Sequence, residues 1–261
     1  MTAYERFRAL HEADELFVMA NAWDVGSARL LEHAGFRAIA TTSSGYAAAL
    51  GRLDGGVDRE LAIGHGAELA AAVGIPVSAD LENCFADTPE GVAETIREAA
   101  ATGLAGGSVE DWSGTEIYER ELAVERVRAA VEAAAGKFVV TARAENLIRD
   151  VDDLDGTIAR LQGFAAAGAD VLFAPGLAGA DQIRAVLSSV DAPLSVLLLP
   201  GVPPVPELAE LGVRRVSVGG AFAFTAYGAL VTAAREILEQ GTFSLAKFAI
   251  AGRDAVNGAF S

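Results

Sequence analysis

The chain has 261 residues, of which 52% are hydrophobic and 7% aromatic, and its formal net charge is −16. That length and apolar content allow a large buried core and exclude a disordered chain. The acidic field opposes phosphate backbones and argues against nucleic-acid binding. The single cysteine, Cys84, excludes an internal disulfide and a cysteine-built zinc site, which fits a reducing, cytoplasmic setting. Met1–Leu16 mixes Glu, Arg, His and Asp, unlike a secretory leader. Apolar stretches such as Ser195–Leu199 and Ala221–Leu230 are too short or too Gly-interrupted to suggest a bilayer span.

Short apolar β-type runs recur at Leu16–Ala20, Ala38–Thr42, Pro76–Ala79, Gly107–Val109, Phe138–Ala142, Val171–Ala174, Leu194–Leu198 and Arg215–Val218. Helical spacing of apolar residues follows each run, over Val25–Ala34, Arg59–Val73, Pro89–Thr102, Arg120–Ala134, Asp153–Ala167, Ala180–Leu187, Val205–Leu211 and Ala221–Glu239. Gly35, Gly74, Gly103, Gly168 and Gly212 stand where helices should end, as left-handed caps. Thr88 before Pro89, and the acids Asp152 and Asp153, mark two helix starts. Eight strands alternating with eight helices predict one (β/α)8 barrel of the TIM type spanning the chain. No Gly-x-Gly-x-x-Gly turn follows the first strand to support an open dinucleotide-binding sheet. Residues 241–261 lie beyond the eighth unit and read as a C-terminal extension with a short helix around Leu245–Ala251.

The chemistry gathers where strands stop. Asp80 and Glu82 follow the third strand, Glu110 and Asp111 the fourth, and Arg143 the fifth, with Glu145 two residues on. In a barrel these ends share one mouth. Clustered acids repel one another and lose hydration unless something offsets them. If the extended geometry continues past Asp80, Leu81 points away and both carboxylates face one cavity. Asp80, Glu82 and Glu110 then describe an oxygen-only site for Mg2+ or Mn2+. The alternative is that they serve as helix caps or ion-pair partners. Arg143 carries a planar fork suited to a substrate carboxylate, or else it pairs with Glu110 or Glu145. Thr42, Ser43 and Ser44 form a hydroxyl-rich turn able to cradle an anion. Asp54 sits in a Gly-flanked loop that could fold over the mouth.

These segments resemble the isocitrate lyase/phosphoenolpyruvate mutase superfamily. The likeness rests on Ser27-Ala28-Arg29 with Ala34-Gly35-Phe36, Leu50-Gly51-Arg52-Leu53-Asp54, Pro76 through Glu82, Val109-Glu110-Asp111, Ala142-Arg143-Ala144-Glu145 and Ala167-Gly168-Ala169-Asp170. The resemblance implies a (β/α)8 barrel, usually a tetramer whose last helix packs on a neighbour. It also implies Mg2+-assisted cleavage or rearrangement of C–C or C–P bonds in small 2-oxo or 2-hydroxy carboxylates. Asp80 would hold the cation directly or through water, with Glu82 and Glu110 bound through its water shell. Thr42, Ser43, Ser44 and Arg143 would bind the substrate carboxylate, and Asp54 would be the acid of a mobile loop near the reacting centre.

One departure narrows the activity. Lyases of this superfamily carry a Lys-Lys-Cys-Gly-His loop after the Glu-Asp strand, and mutases carry Lys and Asn there. Here the segment is Trp112-Ser113-Gly114-Thr115-Glu116-Ile117-Tyr118. This argues against isocitrate or methylisocitrate cleavage and against phosphonate mutation. Tyr118, Glu116 and Asp54 remain candidate bases. Cys84 is expected to be a buried, inert thiol, and His11, His33 and His65 to be surface or core residues. The sequence thus supports a Mg2+-dependent lyase acting on a small 2-oxo or 2-hydroxy (di)carboxylate, and the resemblance implies a homo-oligomer, a dimer or tetramer. A hydrolase on the same substrates, or a non-catalytic 2-oxo acid binder, are the competing expectations.

Overall fold

Eight parallel strands close in sequence order: β1 (Phe17–Ala22), β2 (Ile39–Thr41), β3 (Val77–Asp80), β4 (Gly106–Glu110), β5 (Val139–Arg143), β6 (Val171–Phe173), β7 (Leu194–Leu197) and β8 (Arg215–Ser217). The structure, a computed structural model, describes residues 1–261. Helices α1 (Ala3–Glu12), α2 (Val25–His33), α3 (Ser43–Ala49), α4 (Arg59–Ala72), α5 (Pro89–Ala100), α6 (Arg120–Ala134), α7 (Leu154–Ala166), α8 (Gly179–Leu187), α9 (Val205–Leu211) and α10 (Ala221–Gln240) precede, link and follow the strands, and α11 (Ala246–Phe260) ends the chain. The expected (β/α)8 barrel is therefore what forms.

Alternation along each strand divides the residues between two environments. Outward-facing Val77, Ala79, Val109, Val140, Leu172, Leu194, Val196 and Val216 are buried under the helices in two large apolar clusters. Inward residues at mid-height are small and polar: Ser78, Ser108, Thr141 and Ser217. Barrel interiors are ordinarily filled by bulky branched side chains. Small lining residues leave a cavity of about 230 Å³ instead, reaching into the barrel from the mouth.

The opposite end is sealed by α1, a helix outside the eight predicted β/α units. Thr2 and Glu5 close a reciprocal cap at its start. Its Phe7 is fully buried among Phe17, Met19, Ala38, Ala40, Ala105, Val139 and Val171. Gly106 permits this close fit, since a Cβ there would lie 2.6 Å from the Val139 carbonyl oxygen and 2.9 Å from the Phe7 ring.

Gly35, Gly103, Gly168 and Gly212 do take the left-handed conformation expected of caps, whereas Gly74 does not, because α4 ends on an extended Val73. The C-terminal helix runs far longer than the single short helix expected, from Ala246 to Phe260, and it returns to α2. There Arg29 lies over the Phe260 ring at 5.9 Å. Of the 20 residues of α10, only Ala223 is buried. The apolar stretch Ala221–Leu230 is only its first half, and the whole helix is, by length and composition alone, long and apolar enough to cross a bilayer.

Candidate active site

The C-terminal ends of β2 to β5 bring the predicted residues to one mouth. Asp80 closes β3, and its carboxylate accepts protein hydrogen bonds on both oxygens. Oδ2 accepts from the Ser43 N–H at 3.1 Å; Oδ1 accepts from Arg143 Nη1 at 3.0 Å and Ser108 Oγ at 3.3 Å. The strand register aligns Asp80 with Ser108 and Glu110 with Arg143, so these contacts follow from the pairing itself.

Arg143 is the hub. Its Nη1 also lies 2.8 Å from Glu110 Oε1, and its Nε donates to Glu145 Oε1 at 2.9 Å. Burial works against the charge of this guanidinium, but Glu110, Glu145 and Asp80 outweigh it and hold the proton more tightly than usual. Glu110 is 6% exposed. Burial, together with Glu145 and Asp80, pushes its carboxyl well above the usual range, although Arg143 opposes the shift. Arg149, on the 3-10 turn Asn146–Arg149, reaches Glu145 at 3.5 Å and Glu110 at 3.9 Å while lying over the Trp112 ring. The ion pair offered in the sequence as the alternative role of Arg143 is thus present, alongside an Nη2 that bonds to no protein group.

Glu82 departs from the expected geometry. Its backbone turns left-handed, φ 49°, so the alternation that would place it beside Asp80 stops after β3. Asp80 lines the main cavity, Glu82 lines an adjoining one of about 370 Å³, and Ser43, Asp54 and Glu110 line both, while Asp80 and Glu82 share only a small cleft of about 10 Å³. The three acids consequently surround the mouth without forming a close three-ligand cage. Burial, Asp80 and Asp54 push the Glu82 carboxyl up to about 7. Cys84 and Phe85 are left-handed too, an uncommon run for residues with a Cβ. Arg126, from α6, holds this segment by donating to the Asn83 carbonyl at 2.7 Å and to the Ala86 carbonyl.

The hydroxyl turn proves to be the start of α3. Thr42 caps it, with Oγ1 accepting from the Gly45 N–H at 3.3 Å and lying 3.2 Å from Ser44 Oγ. Thr42, Ser43 and Ser44 all line the cavity. The Ser43 N–H, however, is committed to Asp80, which leaves the Ser43 hydroxyl and the Ser44 N–H as the donors of this turn without a protein partner.

Among the candidate bases, only Asp54 lines the cavity. Tyr118 is buried elsewhere, donating to Asp87 and stacked under Arg126 at 4.1 Å. Glu116 lies on the outer side of a tight loop closed by a Trp112–Ile117 bridge. Cys84 is fully buried, and burial pushes its thiol up to about 12, so it is the inert thiol expected. His11 and His65 are core residues, and His33 is exposed beside Gly258 of α11.

Three contributors went unnoticed in the sequence: Arg149, Arg126 and Arg215, the last lying inside the barrel. Arg126 carried a signal. It falls on the buried stripe Ala123–Val127–Ala130–Ala134 of α6, where an arginine must find partners. Arg215, in an apolar β-type run, carried a similar one.

Residues 7–238 match the family model for phosphoenolpyruvate phosphomutase. The chain belongs to that family, within the isocitrate lyase/phosphoenolpyruvate mutase superfamily. Its fold is similar to that of a candidate lyase/mutase of Burkholderia cenocepacia J2315, with 51% identity and a TM-score of 0.95 over 99% of this chain and 95% of the other. An uncharacterised protein of Mycobacterium tuberculosis is 32% identical over 217 residues, 82% of this chain and 81% of its own length. The 2-methylisocitrate lyase of Escherichia coli K12 is 28% identical over 200 residues, 72% of this chain and 67% of that enzyme. The family is enzymatic and includes lyases and mutases.

Proposed function

We propose that the protein is a divalent-cation-dependent lyase acting on a small 2-oxo or 2-hydroxy (di)carboxylate, by C–C cleavage or decarboxylation through an enolate. The observation that carries this reading is the charge arrangement at the mouth. Asp54, Asp80, Glu82, Glu110 and Glu145 face Arg143 and Arg149 at the mouth, with Arg215 on the floor below, an excess of acid in a partly enclosed space. Burial first, and the neighbouring acids after it, raise the carboxyls of Glu82 and Glu110. Every surplus donor is a hard oxygen, which suits Mg2+ or Mn2+ rather than a soft metal.

Asp80 would hold the cation, with Glu82 and Glu110 acting through its water shell. When bound, the cation polarises the carbonyl beside the bond that breaks. The chain's own residues do the rest. Arg143 offers Nη2 to the substrate carboxylate while Asp80, Glu110 and Glu145 fix the rest of its guanidinium. The Thr42, Ser43 and Ser44 hydroxyls orient the same carboxylate. Asp54 takes or returns the proton, as the one candidate base in the cavity wall. The short closed loop at Trp112–Ile117 supplies no cysteine, which directs the proposal away from 2-methylisocitrate itself.

The test is turnover. Incubation with Mg2+ and a panel of 2-oxo and 2-hydroxy acids should release pyruvate, glyoxylate or CO2 from one of them, and D54A should abolish release without abolishing binding. Binding with no product from any acid would favour the non-catalytic binder, a reading suggested by the missing loop residues. Products of net water addition would favour the hydrolase.

We further infer a homo-oligomer, a dimer or tetramer, on the C-terminal helices. Phe224, Leu230, Leu238, Phe248 and Ile250 are each more than half exposed there, a larger apolar face than a monomer ordinarily leaves in water. Sedimentation at micromolar concentration should give a dimer or tetramer; a monomer would refute it.

A further inference from the structure

Arg215 opens β8 deep inside the barrel and is 2% exposed. Its Nε donates to Ser195 Oγ at 3.0 Å, and its Nη1 donates to Thr141 Oγ1 at 3.1 Å and lies 3.2 Å from His11 Nε2. All three partners are neutral. The His11 Nδ1–H, 2.9 Å from the Phe7 carbonyl, donates to it, so Nε2 is left to accept from the guanidinium. No carboxylate bears on Arg215; the charged group that does is Arg143, of the same sign. Burial and Arg143 together pull its pKa down to about 9.

A guanidinium withdrawn from water without an anion is costly, and an anion that reached it would offset that cost. The access exists. Arg215 lines the mouth cavity, and its Nη2 bonds to no protein group yet is not among the polar atoms sealed in the interior. Arg126, the other arginine buried to this degree, differs. It spends both Nη atoms on backbone carbonyls.

Depth fixes what Arg215 could hold. Its contact, Thr141, lies two residues before Arg143 on β5, about 7 Å down the strand. The cavity therefore has a guanidinium at its rim, largely balanced by three carboxylates, and another at its floor with no counter-ion. Ser108, Ser217 and Asn21 line the space as small polar residues. We infer that Arg215 binds the distal carboxylate of a dicarboxylate whose other end lies at Arg143, which makes it the residue that selects diacids over monoacids. This rests on the lyase reading of the same cavity and narrows its substrate class.

The experiment is calorimetric titration of the full-length protein with succinate and with pyruvate, in Mg2+, for the wild type and R215Q. The wild type should bind succinate more tightly than pyruvate. R215Q should lose roughly 10- to 100-fold in succinate affinity, the scale of one charge-assisted hydrogen-bonded contact, with pyruvate changing less than about twofold. A brace joining β5, β7 and α1 would not change that ratio. Should R215Q fold poorly, R215K keeps a cation without the fork and should show a smaller loss of the same preference. An unchanged succinate-to-pyruvate ratio in a folded variant overturns the inference and leaves the lyase reading intact. So does a wild type that binds pyruvate alone. A wild type that binds neither acid overturns both.

Discussion

Arg143 Nη1 stands 2.8 Å from Glu110 Oε1, directly across the β4–β5 register, so the main cation of the mouth is held by an acid also expected to serve a metal. Arg143 can serve both this pair and a ligand because the two use different nitrogens. Glu110 fixes the guanidinium, and Nη2 remains for a ligand. Replacing Arg143 with Lys keeps a positive charge and removes the fork. R143K should bind pyruvate with Mg2+ roughly tenfold more weakly by calorimetry, because one charge-assisted contact is lost. Wild-type affinity would make Arg143 a purely structural pairing residue.

Removing that charge altogether should cost the fold as well. R143M leaves Asp80, Glu110 and Glu145 without their common partner in a buried setting. Urea denaturation at neutral pH should show a loss of about 3–5 kcal/mol, as for other broken buried ion pairs. A loss under about 1 kcal/mol would mean that water already screens this cluster.

Phe7 is predicted to be the main contact of α1 with the barrel floor. Its ring is fully buried against residues of several strands. F7A should destabilise the protein by about 3–5 kcal/mol, measured by chemical denaturation, the usual cost of emptying an aromatic site. A change below about 1 kcal/mol would show that α1 is dispensable to the barrel.

Stability should also depend on pH through His11. Burial and the neighbouring Arg215 push its pKa down to about 3 in the folded chain, below the ordinary value near 6.5. Between those values the unfolded chain binds a proton that the native chain refuses. Stability therefore falls as pH drops through that window, by up to about 1.4 kcal/mol per pH unit. Asp111, which burial raises to about 6, acts in the opposite sense below that pH. H11Q removes only the histidine contribution. Its stability should decline less than the wild type's between pH 7 and pH 5; equal slopes would contradict the assignment.

The sequence carried the barrel because its signals are local and periodic: strand runs, helical spacing and glycine stops repeat along the whole chain. It also placed Asp80, Glu110 and Arg143 correctly at adjacent strand ends, since β-alternation holds inside the strands. It failed at Glu82, where three of four consecutive residues adopt a left-handed backbone that nothing in Glu-Asn-Cys-Phe announces. It failed at α1 because Phe7 is buried by strands far away in sequence. The buried arginines were visible only as charges in apolar patterns. Their partners, carbonyls and hydroxyls from remote segments, have no sequence signature.

The central claim is that the acids of the mouth hold a divalent cation through Asp80. Free Mn2+ can be counted by electron paramagnetic resonance as protein is added. The account predicts saturable binding near one ion per chain for the wild type and none for D80A, with both proteins folded by circular dichroism. Equal Mn2+ binding by the wild type and D80A would contradict it.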